Sequence, residues 1–100
     1  MASEISKAQA FADVLIWINR GNDHVESGMY PEAIQCYDKA LEINPRDAKT
    51  WFNKGNVLYE LARYQEAIIS FQKFIEFAPH TNASQVRKVE ELIRLLKEMV

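Results

Sequence analysis

The side chains of this sequence that could do chemistry are few: two histidines, His24 and His80, one cysteine, Cys36, and scattered carboxylates. Catalysis needs such groups to converge on one reacting atom. His80 follows Pro79 in what reads as a turn, and the sequence places no histidine beside Cys36 to activate its thiol. There is no glycine-rich phosphate loop, no His-Glu-x-x-His pair and no acidic calcium loop. The expectation is a non-enzymatic protein with no catalytic residues, no metal site and no cofactor. Side-chain amides do recur. Asn19 and Asn22, and again Asn53 and Asn56, stand three apart and so share one helical face. Amides placed there can both donate to and accept from a peptide backbone.

Composition narrows the partners. With 48% hydrophobic and 26% charged residues, the chain has the balance of an ordinary globular protein. Its net charge of −2 arises from interspersed acids and bases, without a basic stripe to track phosphates, so nucleic acid is not an expected partner. The longest apolar run, Val14 to Ile18, is far short of the roughly 20 residues that span a bilayer, and no membrane partner is expected. Cys36 alone can form neither an intramolecular disulfide nor a cysteine metal cage, which fits a reducing, cytoplasmic setting. The first residues lack the positive charge and continuous apolar core of a secretory signal, so the Asn82-Ala83-Ser84 sequon is read as a helix start.

A period of 34 organises the chain. At that offset Trp17, Asn19, Gly21, Asn22, Glu26 and Tyr30 meet Trp51, Asn53, Gly55, Asn56, Glu60 and Tyr64. Glu32-Ala33-Ile34 meets Glu66-Ala67-Ile68, and Lys39, Glu42 and Pro45 meet Lys73, Glu76 and Pro79. Each unit reads as two short amphipathic helices; in the second, Trp51, Gly55, Leu58 and Tyr59 lie on one and Ala67, Phe71, Phe74 and Ile75 on the other. Gly28 suits a left-handed cap that ends the first helix, and Pro31 suits the opening turn of the next. Pro45 and Pro79 end the second helices, because proline lacks the amide donor and clashes with the turn before it. Gly21, Gly55, Ala33 and Ala67 allow close helix approach, and Trp17, Trp51, Tyr37 and Phe71 are expected to fill each hairpin's interior.

The pattern resembles the tetratricopeptide repeat, whose signature runs Trp, Leu-Gly, Tyr, Ala, Phe or Tyr, Ala and Pro over 34 residues. Trp17, Gly21, Tyr30, Ala33, Tyr37, Ala40 and Pro45 carry it in the first unit, and Trp51, Gly55, Tyr64, Ala67, Phe71 and Pro79 in the second. His24 and Leu58 depart from a usual Tyr, Phe74 from Ala, and Arg20 and Lys54 from Leu. The resemblance implies an all-α fold of antiparallel helix hairpins stacked as a short right-handed superhelix. The corresponding division is one domain over 1–100, with repeats at 14–47 and 48–81 and a capping helix at 82–100. In that last helix Val86, Val89, Ile93, Leu96 and Val100 form the inward stripe, behind a cap at Thr81, Asn82 or Ser84.

The function implied is protein–protein interaction, with a peptide in a concave groove. Carried over by position, that groove takes Ile18, Asn19 and Asn22 from the first unit. From the second it takes Lys49, Phe52, Asn53, Asn56 and Tyr59, with Arg87 from the capping helix. One specialisation, the clamp that holds acidic chaperone tails, is matched at Asn22, Asn53 and Arg87 but has Ile18 and Ala83 where lysines are required. Without those charges a doubly anionic terminus loses most of its attraction. The first helix, expected over 3–28, begins well upstream of its repeat and carries apolar residues on nearly all sides. Ile5, Phe11, Leu15 and Ile18 are therefore expected to mediate self-association as a homodimer, with a folded-back extension as the alternative.

Overall fold

The computed structural model describes residues 2–100, with side chains from residue 6 onward. The described chain is helical: α1 (Ala2–Glu26), α2 (Tyr30–Ile43), α3 (Ala48–Glu60), α4 (Tyr64–Phe77), a 3-10 turn (His80–Asn82) and α5 (Ala83–Met99). Contacts divide it into two compact units, one ending at Pro45 and one running from Arg46 to Val100. The first holds the α1–α2 hairpin, and the second holds the α3–α4 hairpin with α5 packed on α4.

The punctuation explains the hairpins. Gly28 closes α1 at φ +74°, with Gly28 N–H donating to Val25 C=O (3.0 Å) and Met29 N–H to His24 C=O (2.8 Å). These are the paired bonds of a Schellman cap, which satisfy carbonyls the helix would otherwise leave open. They stop the helix at Glu26, short of the expected 28. Thirty-four residues on, the same two bonds recur as Ala62 N–H to Tyr59 C=O and Arg63 N–H to Leu58 C=O, both 2.9 Å. There the left-handed residue is Ala62, at φ 58°. Pro31 stands in the first turn of α2, and α2 and α4 both end two residues before a proline. Asp47 caps α3 by accepting from Thr50 N–H at 3.2 Å and from the Thr50 hydroxyl.

Both hairpins close on an aromatic ring laid against a glycine. A methyl group placed on Gly21 would lie 2.6 Å from Tyr37 Cε1, and one on Gly55 would lie 2.6 Å from Phe71 Cε1. Tyr37 and Phe71 are fully buried, as are Ala33 and Ala67, about one helical turn before them. Burial of such a ring contributes roughly 1.5–3 kcal/mol.

The two tryptophans do not fill the interiors as expected; both are half-buried. Trp17 packs against Val14, Ile18 and Ala40, and the Arg20 guanidinium lies 5.1 Å above its ring. Lys54 Nζ lies 5.5 Å over Trp51. The cations that replace leucine in each repeat thus cover the outer face of the tryptophan three residues earlier, an arrangement that is favourable for a positive charge on an indole. On α5, Val89, Ile93 and Leu96 are buried, but Val86 is only half-buried and Val100 is 58% exposed, beyond the packed part of the helix. Asn82 precedes α5 without capping it; its amide instead donates to the Gln85 side chain at 3.4 Å.

Candidate peptide-binding surface

In the first unit, the 3.6-residue period places Val14, Ile18 and Gly21 on the stripe that faces α2, and the three are buried. Ile18, 8% exposed in a cluster with Val14 and Ala40, is therefore part of the hairpin interior and is not available as a groove or self-association residue. Phe11, Leu15 and Ile16 lie off that stripe and are 68%, 45% and 47% exposed. Ile5 falls outside the residues whose side chains are described. Asn19 is exposed. Asn22 is half-buried and committed, because its Oδ1 accepts from the Tyr37 hydroxyl at 2.5 Å. Burial pushes Tyr37 up to about 12, with the neighbouring Cys36 adding in the same direction. Burial likewise raises the Cys36 thiol, which Arg20 only partly offsets, so the one cysteine is a poor nucleophile.

The second unit repeats this geometry with one atom missing. Phe71 occupies the place of Tyr37, at matching distances from the facing glycine, but has no hydroxyl to offer Asn56. Asn56 is exposed and its side chain makes no hydrogen bond among the described residues. It lines an open depression of about 620 Å³ with Phe52, Gln85, Lys88 and Leu92. A second depression, of about 540 Å³, also borders Phe52 and is lined by Lys49, Asn53, Phe74, Phe77 and Arg46. Asn82 and Gln85 border both. Phe52, which borders both, packs with its ring centroid 5.2 Å from that of Phe74 and 6.0 Å from that of Phe71.

Of the residues expected from the sequence, Lys49, Phe52, Asn53 and Asn56 are brought together here. Tyr59 is elsewhere, against the Tyr64 ring at 5.8 Å. Arg87 lines a separate depression with Glu76 and His80. Asn82, Gln85 and Lys88 were not anticipated; the 3-10 turn sets the register with which α5 meets the site, and nothing in the helical periodicity announces it. Large ring surfaces bordered by amides and cations suit a peptide: the rings take an apolar side chain and the amides take the backbone. Among the described residues no cluster of three or more histidine, cysteine or carboxylate side chains could hold a metal, and no helix is long and apolar enough to cross a membrane.

This is a helical-hairpin repeat protein. The profile described as "TPR repeat" matches residues 21–62, and that described as "Tetratricopeptide repeat" matches residues 48–81. The chain belongs to the tetratricopeptide-repeat family. No curated protein matches the sequence significantly. Among solved structures, the chain is similar to the first TPR of Spaghetti (RPAP3) bound to the HSP90 peptide SRMEEVD. The two share 18% identity and a TM-score of 0.75, over 88% of this chain and 70% of that one. The NMR structure of the first TPR domain of human RPAP3 aligns at 16% identity over 87% of this chain and 97% of its own, with a TM-score of 0.35.

Proposed function

We propose that this protein is a non-enzymatic adaptor, acting in a reducing compartment such as the cytoplasm, that holds a peptide segment of a partner protein against Phe52. The observation that carries the reading is the pair of depressions that share Phe52, lined by Asn53 and Asn56, with Asn56 exposed and making no side-chain hydrogen bond among the described residues. That the similar RPAP3 domain was solved with a peptide bound supports a peptide as the class of ligand. The same tail is not the ligand proposed, because Ile18 and Ala83 stand where the chaperone clamp needs lysines. The test is affinity capture with the full chain and with an Asn53→Ala/Asn56→Ala variant, whose fold is checked by circular dichroism. A partner retained by the first and lost from the second supports the reading; an identical captured set overturns it.

A second reading, self-association through α1, is favoured by the exposure of Phe11, Leu15 and Ile16 on neighbouring turns. Contiguous exposed apolar side chains of this size mark contact surfaces more often than free solvent faces. Light scattering at tens of micromolar should give a dimer mass, reduced to one chain by Leu15→Asp. A single-chain mass for the unaltered protein ends this reading.

A further inference from the structure

We infer that the exposed face of α1 docks against the same face of a second copy of this chain, with the two helices antiparallel and meeting at Phe11. This rests on the reading of α1 as a self-association surface, and it specifies the partner face and its direction. α1 is 25 residues long and its hairpin partner α2 is 14, so the early turns of α1 reach past the helix they pack on. Ala8, Phe11, Ala12 and Leu15 fall within about 100° of one another around the helix, and all four are exposed. Between Lys7 and Arg20 the one charged side chain is Asp13, which lies off this face, half-buried and accepting from the Gln9 amide at 2.9 Å. Whatever covers the face must therefore be uncharged over about two to three turns, since a charge buried there would find no partner; the face itself meets that condition.

The order of side-chain sizes and the bordering charge select the direction. With a two-fold axis passing between Phe11 and Ala12, Ala8 of each copy lies opposite Leu15 of the other, so a large aliphatic side chain enters the space left by a small one. The two Phe11 rings meet on one side of the axis, and the two Ala12 methyls on the other side permit close approach. A parallel pair would instead set Leu15 on Leu15, leave a gap between the two Ala8 residues and bring Lys7 beside Lys7. Reversing one helix separates the two Lys7 positions by about 13 Å along the axis, at a rise of about 1.5 Å per residue, which exceeds the roughly 10 Å reach of exposed charges in salt. It also opposes the two helix dipoles. The contact spans few turns and belongs at the small end of protein interfaces, so the dimer should form at micromolar rather than nanomolar concentration.

The experiment is sedimentation equilibrium of the full chain at tens of micromolar, for the unaltered protein, Ala8→Glu, Leu15→Lys and the two substitutions combined, with helix content checked by circular dichroism. Both positions are exposed, so the fold should survive each change. The unaltered chain should be a dimer, and each single substitution should weaken it about tenfold. The combined variant should recover about fivefold over either single one, because an antiparallel pair sets the new carboxylate at position 8 against the new ammonium at position 15 twice, whereas a parallel pair sets like on like. The two positions are seven apart, too far to pair within one helix. A dimer weakened by both single substitutions but not recovered by their combination overturns the antiparallel pairing and leaves self-association through α1 standing. A dimer indifferent to all three variants overturns both. So does a single-chain mass for the unaltered protein, which would leave the face to a helix of some other protein.

Discussion

Restoring one hydroxyl to the second repeat should make it behave like the first. In the first unit the Tyr37 hydroxyl donates to Asn22 at 2.5 Å. A methyl group on the facing glycine would lie 2.6, 2.8 and 3.1 Å from Tyr37 Cε1, Cδ1 and Cζ; the corresponding distances to Phe71 are 2.6, 2.8 and 3.0 Å. The two rings therefore stand in the same place on their hairpins to about the width of these differences, and Phe71→Tyr should carry its hydroxyl to Asn56. A net hydrogen bond of this kind contributes about 0.5–1.5 kcal/mol. In a domain of this length each kcal/mol raises the unfolding midpoint by about 4–8 °C.

Because Asn56 would then be occupied, any peptide that uses it should bind about fivefold more weakly, which corresponds to losing roughly 1 kcal/mol. The assay is thermal unfolding followed by circular dichroism, alongside peptide titration, for Phe71→Tyr, Asn56→Ala and the double variant. The stability gained by the tyrosine must vanish when Asn56 is absent, since only then does the gain belong to that pair. A lower midpoint for Phe71→Tyr, of the size expected from overpacking, would show that the buried pocket has no room for the oxygen and that the two repeats are not equivalent there.

The other expectations concern the same hairpins. Ala62→Gly should stabilise the protein by about 1 kcal/mol, because Ala62 sits at φ 58° where Gly28 serves the equivalent cap; an unchanged or lower urea midpoint would contradict this. Gly55→Ala should destabilise by about 1–3 kcal/mol, since its methyl would lie 2.6 Å from a ring that is fully buried and cannot retreat, and the midpoint of chemical unfolding measures it. Tyr37, raised to about 12 by burial, should ionise late. Its unfolded value lies near 10, so its contribution to stability is complete below pH 10 and is lost as pH rises toward 12, with a slope of at most about 1.4 kcal/mol per pH unit that Tyr37→Phe should abolish.

Much of the fold is legible in residue types that only one backbone role explains. Gly28 and the prolines mark the turns, and Gly21 and Gly55, spaced by the period, mark the places where a ring meets a helix backbone. Ala62 is invisible by the same logic, because a left-handed position held by alanine carries no compositional sign. The carried-over groove and the apolar face of α1 both place Ile18 outward, yet Val14, Ile18 and Gly21 fall on one inward stripe at spacings of four and three, which the apolar density of the surrounding segment obscures. The half-burial of the tryptophans departs from expectation for a different reason. A large ring suggests an interior position, yet Arg20 and Lys54, read as departures from the repeat, are what cover these two. Of the candidate surface, the repeat pattern points to Lys49, Phe52, Asn53 and Asn56, which line the two depressions, whereas Asn82, Gln85 and Lys88 depend on the 3-10 turn before α5.

The repeated asparagines carry the broader point about how such a fold acquires a binding function. Asn22 and Asn56 are equivalent in sequence and in backbone position, and repetition alone would assign them one role. Their roles are set by a residue fifteen positions later, where tyrosine or phenylalanine fills the same cavity to the same depth. With tyrosine, the amide is a structural partner and the hairpin gains a hydrogen bond; with phenylalanine, it is exposed and makes no side-chain hydrogen bond among the described residues. An exposed, unpaired amide costs little while water satisfies it, and becomes valuable only when a ligand displaces that water with equally good partners. On the proposed reading, the first unit has committed its amide to stability and the second has left its amide for recognition, with the aromatic ring of the hairpin core as the switch between the two.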